Sequence, residues 1–281
     1  MTTPSDTTRS RLPWVIVGYG RIGQTLALLA DRIDAEVIAT WNRTQAAAEA
    51  ASVSSPAPRH GSLPEALASD LSSPCLVWLT VVDDAICDVY ADLRETIAHG
   101  STIVHTSGSL PSTTLGDSPG HSVASLHPLQ AVSDPERAIE RFPESFWTIE
   151  GDDDAVQYLR RLIGSAGIEA VRIDPEAKTL YHASAVTAAN LMVSLVDSAI
   201  AIADAAGIEA DTARSILVEL AESNLHNLRS QSPREALTGP VARGDSETIA
   251  EHRRALDELD DDSLLEIYDI LTRRAVDSLT D

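Results

Sequence analysis

The side chains of this sequence best suited to moving a proton are a lysine and a histidine four residues apart. Lys178 is the only lysine in the chain, since every other Lys or Arg position holds arginine. Residues four apart share one face of a helix, so Lys178 and His182 could reach the same substrate oxygen or nitrogen, whereas Tyr181 points to another face and is assigned to the core. Histidine titrates near neutrality and lysine does so when its pKa is lowered, whereas arginine stays charged. We predict that the pair donates a proton, with the choice between the two left open; the alternative is that Lys178 lies on the exposed first turn of a helix.

Other polar candidates lie in loops and at the ends of elements. His127 follows a predicted strand, where doubly wound sheets bind ligands, and is a third candidate catalytic residue. Ser107 and Gly108 offer a hydroxyl and free amides to a substrate carboxylate or carbonyl, and Arg243 offers a bidentate guanidinium. Asn190 lies about 18 Å further along the same helix than the lysine, so it can contact only the cofactor or another part of the substrate. Each has a structural alternative. Ser107 and Gly108 could form an ordinary turn, and Arg243 could belong to a helix-capping loop. Asn190 could make a buried hydrogen bond, and His127 could have a structural role.

A glycine-rich run, G-Y-G-R-I-G, separates a predicted strand at 14–18 from a predicted helix at 22–33. Its first glycine allows a tight turn, its second lets backbone approach a pyrophosphate, and its third allows close packing of helix and strand. The N-terminus of the helix adds free N–H groups for phosphate. We predict a dinucleotide site, with a glycine turn that binds nothing as the alternative. Its residues are Gly18, Tyr19, Gly20, Arg21, Ile22 and Gly23.

The end of the second predicted strand, W-N-R-T, selects between the two nicotinamide dinucleotides. An NAD site places an acid here to accept from the ribose 2′-hydroxyl, and this sequence has none. Asn42, Arg43 and Thr44 instead offer a guanidinium and neutral donors, which suit a 2′-phosphate. We therefore predict NADP(H) as cofactor; the alternative is that Arg43 is only a solvated charge.

The elements that must position these residues change in type along the chain. Apolar strand patterns at 14–18, 37–41, 75–82, 101–106, 122–126, 146–150 and 169–173 alternate with helical patterns. This alternation predicts an α/β fold, an N-terminal Rossmann-type doubly wound parallel sheet followed by an all-helical C-terminal domain. The predicted organisation is a disordered N-terminus at 1–12, an NAD(P)-binding domain at 13–173 and a substrate or dimerisation domain at 174–281. The apolar helical pattern at 175–206 predicts a helix buried centrally or at a subunit interface.

Composition excludes several classes of function. A net charge of −22 at pH 7 over 281 residues repels nucleic acid and anionic membranes. No signal peptide or run of about 18 apolar residues is evident, so a soluble, cytoplasmic protein is expected. Cys75 and Cys87 fit neither a metal site nor a disulfide framework, and the acidic run at 257–262 is interpreted as a solvated turn, so no metal is predicted.

Six motifs together resemble a known family. They are G-Y-G-R-I-G, W-N-R-T, L-T-V-V-D-D-A-I, V-H-T-S-G-S-L, L-H-P-L-Q and L-T-G-P-V-A-R-G-D. The chain resembles the Rossmann-like, short-subunit dehydrogenase-like oxidoreductases, whose C-terminal half is a domain of unknown function. That family is similar to pyrroline-5-carboxylate reductase, 6-phosphogluconate dehydrogenase, the β-hydroxyacid dehydrogenases and ketopantoate reductase.

The resemblance implies roles for particular residues. It places Val81 and Val82 beside the ribose and nicotinamide of the cofactor, and H-T-S-G on the substrate side. It matches Lys178 to the proton-transferring lysine of β-hydroxyacid dehydrogenases, while His182 stands where those enzymes have asparagine. It also implies a homodimer formed through the helical domain.

These expectations combine into one predicted function. The protein is expected to be an NADPH-dependent oxidoreductase that transfers hydride to a small carbonyl or imine substrate, with Lys178 and His182 as proton donors. The alternatives are a non-catalytic NADP(H)-sensing module that binds a protein partner, and a prephenate-type dehydrogenase, which only the motif L-H-P-L suggests.

Overall fold

The computed structural model describes residues 12–51, 56 and 58–279. They form two compact units, one through Ala185 and one from Val186 onward. Apart from Leu12, the segment predicted to be disordered lies outside the described residues. The predicted domain boundary between residues 173 and 174 stays a prediction, while the first compact unit continues beyond it to Ala185.

The first unit is built on an eight-stranded sheet in the order β3-β2-β1-β4-β5-β6-β7-β8. Every neighbouring pair is parallel except β6 and β7, which are antiparallel. The predicted α/β, mostly parallel sheet is therefore confirmed, and its chain direction reverses at one point that the sequence did not predict. The strands are β1 (Trp14–Val17), β2 (Val37–Asn42), β3 (Arg59–His60), β4 (Leu76–Leu79), β5 (Thr102–His105), β6 (Ser122–Pro128), β7 (Phe146–Gly151) and β8 (Glu169–Arg172).

Helices cover both faces of this sheet. Successive side chains of a strand point to opposite faces, so Trp14 and Ile16 enter one apolar cluster and Val15 and Val17 enter another. This burial on both sides explains why the central strands are continuous apolar runs. The helices of the first unit are α1 (Arg21–Arg32), α2 (Gln45–Glu49), α3 (Ile86–Leu93), α4 (Pro135–Arg141) and α5 (Asp153–Gly164).

The rest of the described chain is helical. The helix α6 (Lys178–Ala188) begins in the first unit and ends in the second. No strand occurs between Val186 and Leu279, the described part of the second unit, as the predicted helical C-terminal region requires. The remaining helices are α7 (Asn190–Ala205), α8 (Ala210–Asn227), α9 (Pro233–Ala236), α10 (Gly239–Ala242), α11 (Ser246–Asp257) and α12 (Asp262–Leu279).

The segment Pro175–Ala205 is unusually apolar. Its best window has a mean hydropathy of 1.7, so by length and composition it could cross a membrane. The expectation that no such stretch exists was wrong on this point. The segment also contains the buried Lys178 and a break at Ala189 between α6 and α7, so part of it belongs to the α/β unit.

Candidate active site

The glycine turn after β1 is shaped by backbone contacts that exclude side chains. Gly18 has a φ of +100°, and a Cβ there would lie 2.7 Å from the backbone of Thr80 and Val81. A Cβ on Gly23 would lie 2.6 Å from the carbonyl oxygen of Gly18. The turn therefore packs directly against the chain that leaves β4, which requires glycine at both positions.

The third glycine faces open space instead. Gly20 is the N-cap of α1, no side chain caps this helix end, and nothing lies within 4 Å of the position of a Cβ. Backbone approach and free N–H groups are what a pyrophosphate requires. Arg21 is exposed at the same helix end, and Ile22 is partly buried. After β4, Val82 is 73% exposed, whereas Val81 packs on the core. These residues fit a dinucleotide.

The side chains at the end of β2 have distinct tasks. The Asn42 amide donates to the carbonyl oxygens of Tyr19 and Ala47, at 3.3 and 3.0 Å, and so ties β2 to the glycine turn. Thr44 accepts from the N–H of Ala47 and caps α2. Arg43 is exposed. Of the three residues predicted to bind a 2′-phosphate, Arg43 therefore has the most suitable position.

Lys178 lies in a buried polar network. Its side chain is 1% exposed, so the alternative of an exposed first turn is wrong. The ammonium donates to the Ser125 hydroxyl and lies 3.4 Å from Glu150 Oε1. Glu150 also accepts from the N–H and the hydroxyl of Ser112, at 2.8 and 2.7 Å. Burial lowers the pKa of Lys178, and the Glu150 carboxylate opposes that shift.

Two imidazoles and a phenol meet beside Gly108. His127 Nδ1 lies 2.7 Å from the hydroxyl oxygen of Tyr181, and the rings of His127 and His182 are 5.8 Å apart. A Cβ on Gly108 would lie 2.4 Å from His182 Nδ1 and 2.9 Å from His127 Nε2. Three of the predicted site residues, Gly108, His127 and His182, are therefore in one cluster.

The loop that carries Gly108 is held by a carboxylate. Ser107 and Ser109 both donate their hydroxyls to Asp83 Oδ2, at 2.7 and 2.8 Å. The Ser107 hydroxyl also accepts from the N–H groups of Ser109 and Leu110. Since this hydroxyl already makes three hydrogen bonds, the structure gives Ser107 a loop-fixing task, and its predicted contact with substrate stays a prediction.

Two histidines at this edge of the sheet are uncharged at neutral pH. Burial, followed by the charge of Lys178, lowers the pKa of His105 to about 4. Burial is also the main reason why the pKa of His127 is lowered to about 4, and electrostatic repulsion from Lys178 and His182 adds to it. Neutral imidazole has one N–H donor and one acceptor nitrogen, so each ring can serve as a directional hydrogen-bonding group.

Two further predicted residues lie outside the α/β unit. Asn190 and Arg243 are exposed residues of the second unit, and their proposed contacts with substrate stay predictions. Within the described ranges, no group of three or more His, Cys, Asp or Glu side chains could hold a metal ion.

Several polar residues of the site were not among the predicted ones. Ser125, Glu150 and Asp83 come from separate strands or loops, and Tyr181 was assigned to the core although its hydroxyl contacts His127. Glu150 had a detectable signal, because an acid at the end of the apolar run F-W-T-I-E is costly to bury without a partner. Ser125 and Tyr181 had none.

Comparisons with known proteins agree with the two-part architecture. Residues 1–117 match the family model of a Rossmann-like domain, and residues 145–275 match that of a domain of unknown function, DUF2520. The chain combines a Rossmann-like domain with a DUF2520 domain. The predicted family resemblance is thereby confirmed. No protein of curated function matches the sequence.

Solved structures share the fold over nearly the whole chain. A Bacteroides fragilis protein, provisionally described as an NADP oxidoreductase, is 21% identical with a TM-score of 0.75, covering 96% of this chain and 99% of its own. An imine reductase of Streptomyces aurantiacus is 21% identical with a TM-score of 0.66, covering 96% of both chains. Pyrroline carboxylate reductase of Plasmodium falciparum, with NADP bound, is 10% identical with a TM-score of 0.59, covering 95% of this chain and 99% of its own. The TM-scores show a common fold, and identities this low show nothing beyond the fold.

Proposed function

We propose that this protein is an NADPH-dependent reductase that transfers hydride to the carbon of a small carbonyl or imine substrate. One observation carries the proposal. The glycine turn follows β1, and the cluster at Gly108 follows β5, which lies two strands away at the same carboxyl-terminal edge. Neighbouring strands lie about 4.8 Å apart, so these two features are roughly 10 Å apart across the sheet. Ligands of doubly wound folds bind along this edge.

The residues of the first unit suit the phosphorylated cofactor. The turn at Gly18 and Gly20 offers backbone to a pyrophosphate, and Arg43 offers a guanidinium to a 2′-phosphate. When bound, NADPH supplies the hydride, and the protein orients the reactants and manages the proton. The NADP oxidoreductase description of one relative and the NADP in another support this choice.

His182 is the proposed acid of the predicted pair. Lys178 has a lowered pKa, but its ammonium is buried and already bonded to Ser125 and Glu150. Loss of its proton would leave the Glu150 carboxylate without its buried counter-charge, which is costly. His182 is only partly buried, and its Nδ1, which is buried beside Gly108, makes no hydrogen bond with any residue that the structure describes. In this proposal His182 protonates the reduced oxygen or nitrogen, and Lys178 keeps its charge.

The helical unit supports a proposal about assembly. Large apolar side chains on α7 and α8 are exposed in the single chain, which is typical of a surface that another protein covers. We propose that a second copy of this chain covers them, giving a homodimer, and that the assembled protein is soluble and cytoplasmic. They include Leu191, Val193, Leu195, Ile216, Val218 and Leu220.

The experiment that tests the function follows NADPH absorbance with a panel of small keto acids, imino acids and cyclic imines. We expect one class of compound to accelerate NADPH oxidation, and NADPH to bind more tightly than NADH. NADPH binding without oxidation by any compound would favour the nucleotide-sensing module. Tighter binding of NADH would contradict the proposed cofactor.

A further inference from the structure

Tyr181 and His127 form a hydrogen-bonded pair beside Gly108. Tyr181 lies on the same helix as His182, one position before it, and its hydroxyl reaches across to β6. The rings of Tyr181 and His127 are 5.9 Å apart and nearly perpendicular, at 80°. An edge contact of this kind, closed by a 2.7 Å hydrogen bond, holds the imidazole in one orientation.

The second nitrogen of His127 is directed at the glycine loop. Nε2 lies 2.9 Å from the position that a Gly108 Cβ would occupy. It makes no hydrogen bond with any residue in the part of the chain that the structure describes. A side chain at position 108 would push the rings of His127 and His182 away. Glycine at this position therefore allows both imidazoles to stay where they are.

The charges around His127 determine its protonation. Lys178 and His182 face it from α6 and disfavour the imidazolium, Asp83 favours it from the loop after β4, and burial is the largest influence. The ring is therefore neutral at pH 7, with its pKa at about 4. Tyr181 keeps its proton because burial raises its pKa, and an interaction of its hydroxyl with the Thr148 side chain only partly opposes that rise. A neutral imidazole whose Nδ1 accepts from a hydroxyl carries its single proton on Nε2.

We propose that Tyr181 is a positioning residue that donates to His127 Nδ1, fixes the Nε2–H tautomer, and thereby presents one neutral N–H donor beside Gly108 to the substrate heteroatom. The use of this donor by a substrate rests on the proposed reductase function, while the tautomer itself does not. The donor stabilises the charge that develops on oxygen or nitrogen when hydride arrives at the adjacent carbon. His182 then supplies the proton.

The tautomer is tested without turnover by NMR of protein labelled with ¹⁵N in its histidine rings. The His127 signals are assigned from the variant H127Q. We expect wild-type His127 to be protonated on Nε2 alone, and Y181F to give a mixture of tautomers. Protonation of wild-type His127 on Nδ1, or an unchanged tautomer in Y181F, would overturn the proposal.

The chain contains a matched control pair. His252 Nδ1 lies 2.8 Å from the Tyr268 hydroxyl with rings at 83°, the same arrangement on the exposed surface of the second unit. Y268F removes an equivalent hydroxyl from the second unit. It should leave the His127 signals unchanged, which separates a local effect of Tyr181 from a general effect of losing a tyrosine hydroxyl.

Kinetics with an accepted substrate test the use of the donor. Y181F should lower kcat about tenfold, as for loss of one hydrogen bond to a reacting group, with little change in NADPH affinity. H127Q keeps an N–H donor that has no tautomers, so adding Y181F to it should cost little more. Equal losses from Y181F in both backgrounds would show that Tyr181 does not act through His127. If no substrate is found, the reductase proposal fails while the NMR result still decides the tautomer.

Discussion

The buried ion pair between Lys178 and Glu150 allows a quantitative prediction. Both side chains are 1% exposed, so solvent cannot take over the role of a lost partner. Glu150→Gln keeps size and shape but removes the only carboxylate bonded to the ammonium in the described chain. Removing one partner of a buried pair costs about 3–5 kcal/mol. Since deprotonation of Lys178 can relieve part of the cost, we expect about 3 kcal/mol.

The assay uses the four tryptophans, at positions 14, 41, 78 and 147, which all lie in the first unit. Fluorescence during urea or thermal unfolding therefore reports on the α/β unit alone. A loss of about 3 kcal/mol corresponds to a Tm lower by roughly 6–12 °C for a unit of this size. The double variant K178M/E150Q should recover most of this loss, because it leaves no unpaired buried charge.

A surface ion pair supplies the control. Arg172 and Asp153 are 2.7 Å apart with side chains 52% and 87% exposed, so D153N should cost no more than about 0.5 kcal/mol. If E150Q were no more destabilising than D153N, the interpretation of Lys178 as a buried, compensated cation would be refuted.

Three further predictions concern the cofactor site and pH. Gly20→Ala should leave the free protein as stable as the parent, since the φ of Gly20 is −80° and no atom lies within 4 Å of the new Cβ. It should nevertheless lower NADPH affinity at least tenfold, as measured by titration calorimetry. An unchanged affinity would show that the cofactor does not occupy this open space. Arg43→Ala should weaken NADPH by about 10- to 100-fold, the worth of charge-assisted hydrogen bonds, and leave NADH unchanged; equal losses for both nucleotides would argue against a 2′-phosphate contact. The pKa values of His105 and His127 are about 4 in the folded protein, below the ordinary 6.5. Between these two pH values the unfolded chain therefore binds more protons than the folded protein does. The two histidines contribute fully to stability above pH 6.5, and this contribution is lost as the pH falls through 4. Tm followed by tryptophan fluorescence should fall over this range, and less steeply in H105Q; equal slopes would contradict the assignment.

Local sequence signals predicted most of the α/β fold. The apolar run near the start of the chain predicted β1, and G-Y-G-R-I-G predicted the start of α1. Buried strands and glycine spacing both leave strong local patterns. The antiparallel step between β6 and β7 was not predictable, since strand patterns carry no direction. The single predicted helix at 175–206 is broken at Ala189 into α6 and α7, where no proline or glycine marks the break.

The sequence predicted only part of the candidate site, because only some of its residues carry a local signal. Lys178, His182, His127 and Gly108 follow from residue type and from their positions at element ends. Their partners are distant in sequence: Glu150 is 28 residues and Ser125 is 53 residues from the lysine. Pairing across such separations depends on strand order and register, which composition and periodicity do not contain. The burial of the lysine, and hence the choice of His182 as acid, required the fold.

A reductase must pass hydride from its cofactor to a small molecule, and this transfer can be followed by isotope. The protein is incubated with NADPH deuterated at the transferable position of the nicotinamide and with a mixture of imines and carbonyl compounds, and the products are analysed by mass spectrometry. We expect a reduced product that carries one deuterium from the cofactor, formed at least 100-fold more slowly by His182→Asn, as for loss of a general acid. Saturable NADPH binding with no deuterium in any product, or an unchanged rate in His182→Asn, would contradict this expectation.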